Sequence, residues 1–376
     1  MVINNIKIVT LNKIIQTGYL RILQDKIIDV QEGEYNGDET IIDGRGRIAL
    51  PGFIDVHVHG VNNIDFMYAN KEDYSLISKE LYKEGVTIYL ATTLTSDKDS
   101  LINVCKKVKE AKKDNPSLLG IHLEGPYISK KYKGAQNEKF IRPFDRNEID
   151  ELDLASGGNI RYITLAVENK DCLENIPYLK QKGITVSVGH SDATFDDVSK
   201  AYELGLTNLT HTFNAMSGFK NREPGVVTAG LYYPLYCEVI ADGVHVDFET
   251  LKTFYKCITS SRLILVTDAL KIKNSSIKEF ELFGLDCIKK DDAAYLKTGP
   301  LAGSILTMDK AIRNMVNIIN DISLIDIAKI SSYNASKSLG LNDIGEIAIN
   351  KQADIVLLND DLTIDSVYKN GEKVYW

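Results

Sequence analysis

The chain has little of what marks several large protein classes. Its five cysteines (Cys105, Cys172, Cys237, Cys257 and Cys287) are odd in number, widely spaced and never in a C-x-x-C pair. That speaks against a disulfide framework or a zinc knuckle and for reduced thiols. No apolar run reaches membrane-spanning length. The opening MVINNIKIVT lacks the basic start and long apolar stretch of a signal peptide. Basic clusters are missing too: 44 Lys and Arg stand against 52 Asp and Glu, a net charge of −8, and no Lys/Arg run is long enough to build a nucleic-acid surface. An anionic small molecule is not excluded, because a few local arginines decide that matter. Repeats, low-complexity tracts and long linkers are also absent. The expectation is a soluble, cytoplasmic protein, and 376 residues can bury one large α/β core or a barrel with a small companion.

The two ends resemble each other and differ from the middle. NIKIVT, YLRILQDKIIDVQ and TIIDGRGRIAL near the start, and GEIAINKQADIVLLND and SVYKNGEKVYW near the finish, are β-rich runs separated by Gly, Asn and Asp. Asn370-Gly371 is a strong two-residue hairpin turn. These features place a small β domain at residues 1–50 and 345–376, with residues 51–344 between. That middle alternates apolar strands with helical stretches. The strand candidates are FIDVHVH, VTIYLATT, LLGIHLEG, RYITLAVE, ITVSVGHS, TNLTHTFN, CEVIADGV and LILVTDA, and the helical ones include 71–84, 100–112, 172–182 and 195–204. Eight such units predict a (β/α)8 barrel whose strands are buried on both faces.

All six histidines fall in short motifs at or near the ends of these runs: His57 and His59 in GFIDVHVHG, His122 in IHLEGP, His190 in VGHSDAT, His211 in LTHTFNAM and His245 in IADGVH. Glu124 and Asp268 are placed likewise, on the barrel face where such enzymes carry their active sites. Two residues apart in a strand, His57 and His59 project to one side and could share an ion. An isolated H-x-H reads equally well as a hydrogen-bonded structural pair. His190 and His211 would neighbour each other around the rim and, with Glu124, form a nitrogen–nitrogen–oxygen site. Asp268 would close beside His57 and His59 and could take a proton. His122, on the same face as Glu124, fits support of a ligand better than ligation. A divalent ion in such a site lowers the pKa of water from near 16 to about 7 and polarises a carbonyl. The chemistry so predicted is hydrolysis of an amide or a cyclic C–N bond.

PGFIDVHVHG, HLEGP, GHS and TDA together resemble the amidohydrolase superfamily. HLEGP, KGA, GHSDAT, HTFNAM, REPG, IADGVH and LAGSILTMD, in that order, resemble its N-acetylglucosamine-6-phosphate deacetylase family. The resemblance implies a (β/α)8 TIM-like barrel with a small β-sandwich domain from both termini, and hydrolysis of N-acetyl-D-glucosamine 6-phosphate to D-glucosamine 6-phosphate and acetate in amino-sugar catabolism. It implies Glu124, His190 and His211 as main metal ligands and Asp268 as general base and then acid. With His57 and His59 present, the site is implied to be capable of two metals and to hold one or two divalent ions per subunit, zinc or iron foremost. Substrate contacts carry over to Ala135, Asn214, Ala215 and His245, to the backbone of Leu301, Ala302 and Gly303, and to Arg222 on the phosphate, from a neighbouring subunit of a homodimer. Gln136 stands where the family usually has a histidine, and is expected to polarise the acetyl carbonyl less. The galactosamine epimer, a cyclic-amide hydrolase or a non-catalytic scaffold are the competing readings.

Overall fold

The structure, a computed structural model, describes residues 1–282 and 284–376. Eight parallel strands form the central sheet: Phe53–Val58, Val86–Thr92, Leu118–Glu124, Ile160–Leu165, Thr185–Val188, Asn208–Leu209, Tyr236–Val239 and Leu263–Leu265. They pair in chain order, first with second through to seventh with eighth. Closure occurs just beyond the eighth strand. Asp268 N–H donates to the His57 carbonyl (2.8 Å), His59 N–H donates to that of Ala269 (2.9 Å), and Val58 bridges Ala269 in parallel. The strands are rich in buried Ile, Val and Leu because helices cover one face of the sheet and side chains fill the other.

The fifth, sixth and eighth strands are shorter than the apolar runs that predict them, and stop before the polar residues at their ends. His190 follows Val188 by two residues, His211 follows Leu209 by two and Asp268 follows Leu265 by three. All three have left-handed backbone (φ 47°, 28° and 47°), which ends the ladder there.

Helix Phe195–Leu204 forms where expected. It opens on a capping box between Thr194 and Asp197 and stops at left-handed Gly205. The helix expected over 172–182 is instead two, Lys170–Glu174 and Ile176–Gln181. Pro177 is the cause: it has no N–H to give the preceding turn and its ring crowds the carbonyl four residues back.

Both termini meet in one eight-stranded sheet, in which Ile48–Pro51 pairs with Ile355–Leu358 and, on its other side, with Val2–Val9. Asn370 and Gly371 both have positive φ (53° and 79°) at the turn joining Ile364–Lys369 to Glu372–Tyr375, as a tight hairpin requires. Strand alternation divides the sheet's side chains between two cores. Ile48, Leu50, Val356 and Leu358 join the barrel core, while Ala49, Ile355 and Leu357 join a second one with Ile3, Ile6, Ile8 and Leu20.

Between the eighth strand and helix Met308–Ile318 lies a four-stranded antiparallel sheet, Glu279–Leu282, Leu285–Lys290, Ala293–Leu296 and Leu301–Ser304. No alternation in the sequence marks it. Among the described residues no helix is long and apolar enough to cross a membrane.

Candidate metal centre and surrounding cavity

Six side chains from the C-terminal ends of five barrel segments converge on one point. Glu124 Oε1 lies 3.1 Å from both His190 Nε2 and His211 Nε2, and 3.3 Å from His57 Nε2. Its other oxygen lies 3.4 Å from His59 Nε2. Asp268 Oδ1 approaches His59 Nε2 at 3.1 Å and His57 Nε2 at 3.4 Å. Two groups of three thus share Glu124: His57, His59 and Glu124, and Glu124, His190 and His211, all buried. Left-handed φ at His190, His211 and Asp268 costs about 1–3 kcal/mol apiece, strain of a kind that collects where side chains must be aimed at a function.

The electrostatics follow from this crowding. Burial would raise the Glu124 carboxyl, but the charge of His57 and the close ring nitrogens of His190 and His211 hold it well below the usual range. Burial would likewise raise Asp268, and His57 and His59 pull it down to about 2. His57 is lowered by burial, yet Asp268 and Glu124 together lift it well above an ordinary imidazole.

The donor set suits a divalent cation. His190 Nδ1 sits 2.9 Å from the Tyr132 carbonyl and so carries its proton there. A neutral His190 then turns the Nε2 lone pair toward Glu124 Oε1 and His211 Nε2, which is itself only 3.1 Å away. Lone pairs facing lone pairs and a carboxylate repel unless a proton or a cation lies among them. His57 Nε2 is buried without a hydrogen-bond partner among the described residues. Three imidazole or carboxylate donors per group match zinc, iron and related ions.

The neighbours explain the geometry. His122 spends both ring nitrogens on the barrel, at the Val56 carbonyl (3.1 Å) and Thr164 Oγ1 (2.8 Å). Burial and the charge of His57 hold its pKa well below normal, and with both nitrogens so engaged it supports the site rather than ligating. Glu168 accepts from Ser191 Oγ (2.6 Å) and the Asp192 N–H (2.7 Å), holding the loop that follows His190. Gln136 is also anchored: its Oε1 accepts the Thr95 N–H (2.8 Å), which turns its Nε2 to donate to Glu124 Oε2 (2.7 Å). The residue thought of as a weakened acetyl contact is thus first of all a brace for Glu124.

The cavity over this cluster is lined by the expected Ala135, Gln136, Asn214, Ala215, His245, Leu301, Ala302 and Gly303, alongside His59, Glu124, His190, His211 and Asp268. His245 is fixed by Asp242, whose Oδ2 lies 2.6 Å from Nδ1. Burial lowers the His245 pKa, and the hydrogen bond and charge of Asp242 outweigh that and raise it. Arg222 is not brought to this cavity within the chain. It lies on the exposed stretch 219–223. Three residues escaped the sequence reading. Asp55 accepts from Thr267 Oγ1 (2.6 Å) and from the His57 N–H (3.2 Å), tying the first strand to the eighth. Glu238 faces His57 Nδ1 at 3.1 Å, and the Tyr162 hydroxyl donates to its other oxygen.

Known proteins share this sequence and fold. The amidohydrolase family profile matches residues 48–374. An N-acetylglucosamine-6-phosphate deacetylase of Bacillus subtilis (strain 168) is 36% identical over 374 residues, covering 97% of this chain and 94% of that protein. The crystal structure of the Thermotoga maritima N-acetylglucosamine-6-phosphate deacetylase superposes with a TM-score of 0.92 at 36% identity, over 100% of this chain and 99% of that one. An alanine mutant of the Mycobacterium smegmatis deacetylase, solved in complex with N-acetyl-D-glucosamine-6-phosphate, superposes with a TM-score of 0.94 at 28% identity, over 100% and 99% of the two chains. The chain belongs to the amidohydrolase family, and within it to the N-acetylglucosamine-6-phosphate deacetylases.

Proposed function

We propose that this chain hydrolyses the N-acetyl amide of N-acetyl-D-glucosamine 6-phosphate, releasing acetate and D-glucosamine 6-phosphate. The observation that carries the reading is the convergence of Glu124, His190 and His211 within one cavity, beside an ionised Asp268. Glu124, His190 and His211 would hold one divalent ion, and His57, His59 and Glu124 a second, with zinc or iron the best match to imidazole and carboxylate donors. When bound, such an ion supplies Lewis-acid polarisation of the acetyl carbonyl and acidifies water.

The chain's own groups do the rest. Asp268 takes a proton from the attacking water as its oxygen bonds to the acetyl carbon. It then passes that proton to the amide nitrogen as the C–N bond breaks, so the sugar leaves as an amine and the acetyl group as acetate. Gln136 steadies Glu124 and offers its second amide hydrogen to the cavity. Ala135 and the backbone of Leu301, Ala302 and Gly303 enclose the acetyl end. Asn214, Ala215 and His245 receive the sugar phosphate. Arg222 completes the phosphate site of a second copy. A homodimer of this kind is supported by the apolar groove of Phe213, Phe219, Val227, Leu231 and Phe254, which lies next to the Arg222 stretch, and by exposed Phe219 and Tyr232. We place the protein in the cytoplasm, where its free thiols are compatible with reducing conditions.

The test is product analysis. N-acetylglucosamine 6-phosphate should yield acetate and free amine in equal amounts, the galactosamine epimer should react more slowly, and unphosphorylated N-acetylglucosamine should be a poor substrate. Equal turnover with and without the phosphate contradicts the phosphate assignment. No turnover of either sugar phosphate by metal-loaded protein contradicts the reaction itself.

A further inference from the structure

Glu238 is a fully buried carboxylate in the seventh strand, between apolar Cys237 and Val239. Among the described residues its only ion-pair partner is His57, at 3.1 Å. Burying a carboxylate away from lysine or arginine costs several kcal/mol unless donors surround it, and here three do. The Tyr162 hydroxyl donates to Oε1, while Oε2 faces His57 Nδ1 and takes the His211 backbone N–H at 3.2 Å. One side chain thus reaches a histidine from each of the two metal-ligand groups. On His57 the effect is on the tautomer. With its Nδ1 proton held on the carboxylate, a neutral, ligating His57 offers its lone pair at Nε2, the buried atom without a hydrogen-bond partner among the described residues, 3.3 Å from Glu124. On His211 the effect is on the backbone, whose left-handed φ of 28° the bond helps to fix.

We propose that Glu238 is a positioning residue for the His57–His59–Glu124 site, setting the tautomer and aim of His57 so that this site binds an ion tightly. The inference rests on the two-ion reading above. Carboxylates standing behind ligating histidines raise ligand basicity and fix ring orientation, and removing them typically lowers metal affinity about 10–100-fold. Glu238 would therefore set how tightly the second ion is held.

Metal-stripped protein titrated with Zn2+, with bound zinc counted per subunit and affinities read by competition with a chelating dye, tests this. The wild-type chain should take two ions. Glu238→Gln keeps the side chain's volume and an acceptor oxygen. It should still take the first ion, at Glu124, His190 and His211, and bind the second about 10–100-fold more weakly. His57→Asn should lose the second ion, and adding Glu238→Gln to it should leave first-ion affinity unchanged. Tyr162→Phe, which removes a donor from the other carboxylate oxygen, should keep both ions. A wild type binding two ions with Glu238→Gln unchanged within about twofold overturns the role of Glu238 alone. A wild type that takes only one ion overturns the two-ion reading and this role with it. A measurement that needs no Glu238 variant to fold is the proton spectrum of the zinc-loaded wild type. It should contain a downfield ring N–H resonance that disappears in His57→Asn, and the lack of one also overturns the proposal.

Discussion

Asp268 and His245 flank the same cavity with pKa values shifted in opposite directions, and each gives a residue-scale test. Asp268 is pulled down to about 2 by His57 and His59, so it stays ionised at neutral pH and is free to accept a proton. Asp268→Asn should keep the fold and the bound metal and lower kcat by about 100- to 10,000-fold; a loss under tenfold would remove Asp268 from proton transfer. For His245 the sign runs the other way. Its pKa is raised by Asp242, so the imidazolium persists to higher pH than an ordinary histidine's and is lost as pH rises through the elevated value. KM for the sugar phosphate should therefore climb on the alkaline side, and His245→Asn should flatten that climb; pH profiles of both proteins decide it. Glu124, His190, His211 and Asp268 were legible in the sequence because each sits in a short motif at a strand end. Glu238 was not, since a single glutamate in LYCEVIADG carries no mark of the ring it faces from across the barrel.

The elements were legible where one periodicity ran unbroken. Phe195–Leu204 has its capping residue and its glycine stop in the sequence, and forms over the residues expected. Strand ends were overrun because apolar residues continue past the last paired residue, and only the left-handed turns at His190, His211 and Asp268 end the ladder. The sheet of 279–304 was invisible for another reason. Its strands are half-exposed and mixed in character, so no buried face writes an alternation. Yet it brings Leu301–Gly303 to the cavity. Its base is tied down by Lys273, buried and 2.6 Å from Glu84, which also accepts the Met308 N–H at the start of the next helix (2.7 Å). Burial pushes Glu84 up to about 7 against the pull of Lys273. Lys273→Met leaves that carboxyl without its partner and should cost about 3–5 kcal/mol of stability near neutral pH. An acid whose folded pKa is raised gives its stability at low pH and loses it as pH climbs from the ordinary 4.5 through about 7. Thermal melts of the variant should therefore show a smaller loss at pH 5 than at pH 8, and an equal loss at both would contradict this account of Glu84.

At the scale of the whole molecule, the sequence carried the barrel, the joining of the two ends in one sheet and the family. The proposed partner surface has only the REPG motif as a trace in the sequence, because contacts made across a second copy leave no periodicity within one chain. If Arg222 serves a second copy, Arg222→Ala should raise KM for the sugar phosphate about tenfold or more while sparing kcat. Mixed dimers of Arg222→Ala and Asp268→Asn chains, refolded together, should recover activity that neither parent shows at low substrate, and failure to recover it would place the arginine elsewhere. The most direct measurement returns metal to chelator-stripped protein in steps, with acetate release from N-acetylglucosamine 6-phosphate and bound metal per subunit followed together. Activity should be absent from the stripped protein, rise with bound metal and level off by two ions per subunit. Turnover in the metal-free protein, or none at full occupancy, would contradict a metal-dependent deacetylase built on Glu124, His190 and His211.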